Sequence, residues 1–180
     1  MKVVNLTHML QMNLLLVICN ATYAQVDQKD GPHHDSFHNL VTVFVGNTII
    51  RPSGFNLPTL GLEYIRKLNN YIGIGVMAEV EIGSHIIMVD EHNGVQTEVE
   101  RNSAVLIIPA AFFQVYKGLI LSVGYGGEFE KNENLGLLKT SIEYKLYLKN
   151  ERFLVIPTIS WDHTSRFNGL VYGVNFGYYF

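Results

Sequence analysis

Residues 168–180 read Asn-Gly-Leu-Val-Tyr-Gly-Val-Asn-Phe-Gly-Tyr-Tyr-Phe, and their alternation decides the fold. One set of alternate positions is apolar or aromatic throughout: Leu170, Tyr172, Val174, Phe176, Tyr178 and Phe180. The other set is mostly small or polar: Val171, Gly173, Asn175, Gly177 and Tyr179. A period of two is typical of a β-strand. Because one face is apolar and the opposite face is not, this stretch is predicted to cross a membrane beside a narrow polar lumen.

The composition of the whole chain favours strands over helices as the membrane-crossing elements. Hydrophobic residues make up 48% of the 180 residues, and charged residues make up 16%. No apolar run reaches the length of about 18 residues that a transmembrane helix needs. Glycine (16 residues), tyrosine (10) and phenylalanine (10) supply the small lumen residues and the interfacial anchors of a membrane barrel. The length corresponds to a single domain.

The first 24 residues have the layout of a secretory signal peptide. Lys2 is followed by the apolar run Leu14–Cys19 and then by small residues that end at Ala24, after which we expect cleavage. Residues 25–36 are polar and are predicted to form a flexible periplasmic leader, and residues 37–180 are predicted to form the folded domain. The single cysteine, Cys19, lies in the signal peptide, so disulfides and cysteine chemistry are excluded from the exported chain.

The alternation continues upstream and predicts eight strands. They lie near residues 37–47, 58–67, 71–82, 104–116, 119–129, 136–148, 152–162 and 168–180. The shortest turns, at 67–70, 117–118 and 149–151, occur at every second connection, as they do in outer-membrane barrels with short periplasmic turns. The longest connection, 83–103, is compatible with a hairpin around His92-Asn93-Gly94 that extends the flanking strands. Pro109 lacks a ladder donor, so we expect a bulge or a local break there.

These features predict an all-β fold, an eight-stranded antiparallel transmembrane β-barrel. The inward-facing positions carry the concentrated polar set of the chain: Glu63, Glu79, Glu81, Glu128, Glu143, Lys139 and Lys145, with Arg152 as a further candidate. A soluble barrel of the lipocalin type would instead turn its apolar side chains inward. We interpret the set as a structural salt-bridge network, with a conducting or ligand-binding lumen as the alternative, because eight strands leave an interior that side chains fill.

The last strand resembles that of bacterial outer-membrane β-barrel proteins. In those proteins it ends in an aromatic residue, with further aromatics at alternate positions, and the barrel-assembly machinery reads it as a signal. Phe176, Tyr178 and Phe180 fit this pattern. The resemblance implies the outer membrane of a Gram-negative bacterium, surrounding outer-membrane lipids, and transient partnership with periplasmic chaperones and the assembly machinery. We expect a monomer without cofactor or metal, and the net charge of −3 does not support nucleic-acid binding.

One sequence feature suggests catalysis. Asp162-His163-Thr164-Ser165 lies at the outer end of the seventh strand, and its His-x-Ser pair resembles that of the outer-membrane lipid A deacylases. The resemblance implies that His163 would activate Ser165 as a nucleophile. The supporting acid that those enzymes place further along has no counterpart, because no Asp or Glu follows Asp162. An exposed loop also produces such a triplet by chance.

We therefore interpret the chain as an outer-membrane barrel of structural or surface-interaction type, with no specific activity identifiable. A lipid-modifying enzyme and a small pore or ligand-binding barrel are the alternatives.

Overall fold

The computed structural model describes residues 38–51, 54–83, 85–90, 96–101, 103–130, 134–148 and 152–180, with the backbone alone for residues 85–90 and 96–101. Residues 37–180 form one compact unit. The predicted signal peptide and periplasmic leader lie outside the described residues, as does the His92-Asn93-Gly94 turn. No helix among the described residues is long and apolar enough to cross a membrane.

The described chain forms eleven strands in the order of the sequence. They are β1 (Asn39–Arg51), β2 (Phe55–Lys67), β3 (Ile72–Glu81), β4 (His85–Asp90), β5 (Gln96–Arg101), β6 (Ala104–Tyr116), β7 (Leu119–Phe129), β8 (Asn134–Tyr144), β9 (Leu146–Tyr147), β10 (Phe153–Thr164) and β11 (Asn168–Tyr179).

Eight of these elements close into an antiparallel barrel, as the sequence predicted. Their order is β1-β2-β3-β6-β7-β8-β10-β11, and β11 returns to pair with β1 from Leu40↔Tyr179 to Arg51↔Asn168. The short β9 continues β8 beyond Lys145 and pairs with β10. The closing pair extends one residue further, because Asn39 and Phe180 exchange backbone hydrogen bonds of 3.1 and 2.9 Å.

The two faces of the barrel have the polarity that the alternation predicted. On β1, Val43 is 47% exposed on the outside, whereas its neighbours Thr42 and Phe44 are 1% and 6% exposed on the inside. On β11, Phe176 is 55% exposed, and the adjacent Asn175 is 3% exposed. The exterior therefore presents aliphatic and aromatic side chains, and the interior holds the polar ones, which is the arrangement of a barrel surrounded by lipid.

The prediction of a ten-residue loop between the first two strands was wrong. β1 continues to Arg51 and β2 begins at Phe55, so only residues 52–54 connect them. The alternation persists through this region, since Thr48 and Thr59 share a 2.7 Å hydrogen bond inside the barrel and Ile50 is fully buried. These inward contacts favour continued pairing over a loop. The connection turns at Gly54, whose φ of 73° is the left-handed conformation that glycine tolerates.

Irregularities of the sheet lie partly where proline predicted them. The ladder between β6 and β7 is interrupted from Ile107↔Gly127 to Ala110↔Gly124 with the register unchanged, which is the local break expected at Pro109. The shift in register, typical of a bulge, instead falls between Gln114 and Tyr116, beside the tight turn at Gly118. A turn that must reverse the chain within two residues accommodates a bulge at lower cost than the centre of the sheet.

The longest connection contains the predicted hairpin. β4 and β5 form a separate two-stranded antiparallel sheet, paired from His85↔Arg101 to Asp90↔Gln96. They directly follow β3 and precede β6, and they leave the barrel at the end opposite the turns 68–71 and 117–118. We call the end with the hairpin the loop end and the opposite end the turn end.

Candidate functional site in the barrel lumen

The interior of the barrel combines packed apolar clusters with buried polar side chains. The larger cluster includes Leu40, Ile65 and Tyr179 at the turn end, and it continues along the inward face of β6 through Ile108 to Leu106. At the loop end, Ile50, Leu57 and Phe167 form a second cluster. Since packed apolar side chains exclude water, these clusters limit the water that reaches the buried polar side chains.

The centre of the polar region is an ion triad built from three strands. The Lys139 ammonium on β8 lies 2.9 Å from Glu79 on β3 and 3.0 Å from Asp162 on β10. The Lys139 side chain is 2% exposed, so both contacts lie away from solvent. The attraction between a buried cation and two carboxylates offsets the free-energy cost of removing all three charges from water. Any one of these charges buried alone would destabilise the fold.

A second chain of polar contacts runs across the strands that close the barrel. The Thr42 hydroxyl lies 3.0 Å from Asn175 Oδ1 and 3.4 Å from Glu63 Oε2. The amide of Asn175 donates to the Thr158 hydroxyl at 3.0 Å. Since these residues come from β1, β2, β10 and β11, the network ties the first strands of the barrel to the last.

Serines line the opposite wall. Ser122 on β7 and Ser141 on β8 form a hydrogen bond with each other, and both lie within hydrogen-bonding reach of Glu143. Lys145, one layer closer to the turn end, sits 5.6 Å from the centre of the Tyr179 ring. Lys67 lies over the same ring at 5.3 Å, so the phenol is flanked by two cations.

All seven residues that the sequence placed in the polar set lie inside the barrel. Each is between 1% and 6% exposed: Glu63, Glu79, Glu81, Glu128, Glu143, Lys139 and Lys145. Arg152, the further candidate, is exposed and donates to the Tyr178 hydroxyl at 3.5 Å. The sequence analysis missed the role of Asp162 as a partner of Lys139. The available signal was that Asp162 shares the inward face of its strand with Thr158 and Ser160.

The polar centre of the lumen is tightly filled. The cavity among Glu63, Glu79, Lys139 and Glu143 has a volume of about 20 Å³, which is room for about one water molecule. Within the described residues the polar region holds six buried acids against two buried lysines, so its potential disfavours anions. No group of three or more His, Cys, Asp or Glu residues in the described part of the chain is arranged to hold a metal ion.

The structure does not assemble the candidate catalytic residues. His163 and Ser165 are both exposed, and the His163 ring bonds to the Asn168 side chain at 2.6 Å. Asp162 points to the opposite face of the strand, where Lys139 holds it. A nucleophilic serine needs a base within hydrogen-bonding reach that a third group orients. Among the side chains that the structure describes, the bonded partner of His163 is Asn168 rather than an acid.

The three aromatics assigned to the assembly signal lie on the outside of the turn end. Phe176 and Phe180 are 55% and 53% exposed, and the Tyr178 ring packs against Phe153 with centroids 5.0 Å apart. The intervening Tyr179 is 2% exposed in the lumen and was not singled out by the sequence. Its inward position follows from the same alternation.

The closed eight-stranded sheet, apolar exterior and filled polar interior define the class of small outer-membrane β-barrel proteins. The chain is similar in fold to Ail, the attachment invasion locus protein of Yersinia pestis, in complex with the heparin analogue sucrose octasulfate. The TM-score is 0.52 at 11% identity, and the match covers 80% of this chain and 99% of Ail. A second structure of Ail gives 0.51 at 10% identity over the same shares. No protein-family model matches the chain, and no curated protein matches it by sequence.

Proposed function

We propose that the protein resides in the outer membrane of a Gram-negative bacterium and serves surface interaction, with a rigid barrel as the base. The carrying observation is that packed apolar clusters and buried polar side chains fill the lumen while a hairpin projects from the loop end. A barrel with a filled lumen conducts no ions or solutes through its interior. The part of the protein that a partner can reach is then the part exposed at the cell surface.

Export and assembly follow from the same proposal. Residues 1–24 would direct secretion and be removed after Ala24, and residues 25–36 would remain in the periplasm. The aromatic exterior of β11 would be read by the barrel-assembly machinery after delivery by periplasmic chaperones. The apolar outer wall would then be covered by outer-membrane lipids.

The charge of the projecting segment narrows the kind of surface partner. Residues 83–103 contain four acids, Asp90, Glu91, Glu98 and Glu100, and one arginine, Arg101. Like charges repel, so a sulfated polyanion such as the heparin analogue bound to Ail is a poor fit for this segment. A partner that offers basic groups to it would be favoured instead.

The test is adhesion by cells that carry a shortened hairpin. Residues 86–100 would be replaced by an Asn-Gly turn, which joins two antiparallel strands without a loop. We expect the shortened protein to reach the outer membrane and keep its heat-dependent gel mobility, because the eight barrel strands are untouched. Binding of the expressing cells to a surface coated with a basic protein should fall to the level of cells without the gene.

One control and two contrary outcomes complete this test. A surface coated with heparin should retain neither strain above background. Equal binding of both strains to the basic surface would contradict a role for the hairpin and leave a structural role. Recovery of the full-length chain as a soluble periplasmic protein would overturn the membrane location itself.

A further inference from the structure

A groove of about 730 Å³ runs along the outside of the barrel, across β2, β3, β6, β7 and β8. It lies on the face that the exterior side chains assign to lipid, and it is separate from the polar lumen. Its volume falls within the range of small-molecule sites. The exterior of the barrel is therefore not uniformly smooth.

The groove follows a row of neighbouring residues across the sheet. Arg66 pairs with Ile74, Ile74 with Ala111, and Ala111 with Val123. On β2 this row lies one residue before the last residue of the strand, at the turn end, whereas Leu138 at the far side lies four residues inside the loop-end terminus of β8. Because strands of such barrels are tilted by about 35–45°, the groove climbs obliquely from the turn end towards the loop end.

Small residues create the depression. Ala111 and Pro109 occupy outward positions of β6, where neighbouring outward positions carry larger residues such as Ile107 and Phe113. Gly75 and Gly124 contribute backbone to the floor. An apolar chain lying in such a trough gains contacts from its floor and both walls, whereas one on a smooth wall gains them from one side.

The two ends of the groove differ in chemistry. Arg66 is exposed at the turn end and is the one charged side chain among the described residues that line the groove. Beside it, the Tyr64 hydroxyl donates to Asn39 at 2.8 Å. Tyr125 and Leu138 form the other end. A cation at one end of an apolar trough fits an amphiphile with an anionic head at the turn end and an apolar tail.

We propose that this groove binds one anionic phospholipid of the periplasmic leaflet, with its phosphate on Arg66 and an acyl chain along Ile74, Ala111 and Val123. The inference rests on the proposed membrane location, in which the turn end faces the periplasm. Arginine pairs with phosphate through two parallel, charge-assisted hydrogen bonds, and basic pockets at membrane boundaries select anionic lipids in this way. A lipid of the outer leaflet would bring its head to the Tyr125 end, away from Arg66.

The experiment measures lipid retention by the exported chain folded in a neutral detergent. Phosphatidylglycerol and phosphatidylcholine with identical acyl chains are added, and bound lipid is counted by native mass spectrometry. We expect one phosphatidylglycerol per barrel, retained about tenfold better than phosphatidylcholine, because the choline cation of the latter repels Arg66 and competes with it for the phosphate. Arg66→Gln should abolish this preference. Ala111→Phe, which fills the trough, should lower retention of both lipids about tenfold.

Matched controls separate a site from the general lipid layer. Arg152→Gln removes another exposed cation of the turn end, and Ala78→Phe adds an outward ring on β3 outside the groove; neither should change retention. Should Ala111→Phe fail to fold, Val123→Phe fills the same trough. Equal retention of the two lipids by the wild-type protein, or equal losses in Ala78→Phe and Ala111→Phe, would overturn the site. A wild-type chain that shows no folded, heat-sensitive form in detergent would instead count against the membrane location.

Discussion

Lys139 is the residue on which the polar interior depends most directly. Lys139→Met leaves Glu79 and Asp162 facing each other without the cation that lies within 3.0 Å of both. Removing one partner of a buried ion pair costs about 3–5 kcal/mol, because the remaining charge stays desolvated. We expect a loss of this size in the free energy of unfolding, measured by urea titration in detergent.

The control for Lys139 removes the stranded charges as well. The triple variant Lys139→Met, Glu79→Gln, Asp162→Asn should recover much of the stability, since neutral groups are less costly to bury than unpaired carboxylates. A single variant as stable as the wild-type protein would show that the triad is not a structural network. A triple variant less stable than the single one would contradict the electrostatic cause.

Gly173 marks a close approach inside the barrel. A Cβ atom there would lie 2.6 Å from the Gly46 backbone and 2.7 Å from the ring of Phe44, which is buried in the lumen. Overpacking of this kind costs about 1–3 kcal/mol, so Gly173→Ala should lower stability in the same urea titration. Gly169→Ala on the same strand is the control, because its nearest atoms are the Thr48 and Asp162 side chains at 3.3 and 3.4 Å. Equal effects would argue against a tight Phe44 site.

A test of His163 and Ser165 distinguishes a structural barrel from a lipid-modifying enzyme. Because Asp162 bonds to Lys139 and His163 bonds to Asn168, we expect no serine activation at the loop end. Overexpression should leave the acyl pattern of lipid A unchanged in mass spectra, and the His163→Ala strain should show the same pattern. A change that His163→Ala abolishes would establish the lipid A deacylase reading and displace the scaffold.

At the scale of elements, β11 is predicted to carry both folding and recognition information. Phe180 and Phe153 are comparable rings at the turn end, 53% and 48% exposed, but only Phe180 continues the closing strand, where it pairs with Asn39. Phe180→Ala and Phe153→Ala should each cost less than the roughly 3–5 kcal/mol of a buried aromatic, because both rings are half exposed. Stability in detergent should therefore fall modestly and similarly in the two variants.

Assembly in cells is expected to separate these two variants. If the assembly machinery reads the aromatic face of β11, Phe180→Ala should lower the amount of protein in the outer membrane, while Phe153→Ala should leave it near the wild-type level. Immunoblots of fractionated membranes measure both. Equal outer-membrane levels would refute the recognition role of Phe180, and equal losses would assign the effect to the fold.

The observed lengths of β1 and β2 show where prediction of strand ends from one segment at a time fails. The alternation of Thr48 and Ile50 was visible, yet the Arg51-Pro52-Ser53-Gly54 turn signal extended the predicted loop backwards. Pairing with β11 from Thr48↔Val171 to Arg51↔Asn168 carries the strand on. A strand continues for as long as the neighbouring strand offers it pairing partners. The propensities of its own residues do not contain this information.

At the scale of the whole molecule, the filled lumen predicts an electrically silent barrel. The clustered apolar residues of the interior are nearly inaccessible, and the central cavity has room for about one water molecule. Planar bilayers with the purified protein should therefore show no defined conductance steps. A well-resolved wild-type conductance would favour the pore reading, and its loss on blocking the lumen would establish it.

The sequence by itself determined the class of fold, the eight crossings and the face that each side chain takes. These are properties of period two, which every strand carries locally, so Glu63, Lys139 and Tyr179 could be placed inside without knowledge of their neighbours. The tertiary structure alone decided which of them meet. Lys139 reaches Glu79 across 60 residues of sequence, and the external groove joins five strands, because closure and register bring distant residues to one height of the barrel. No single strand contains that register, since it arises only when all eight pair at once.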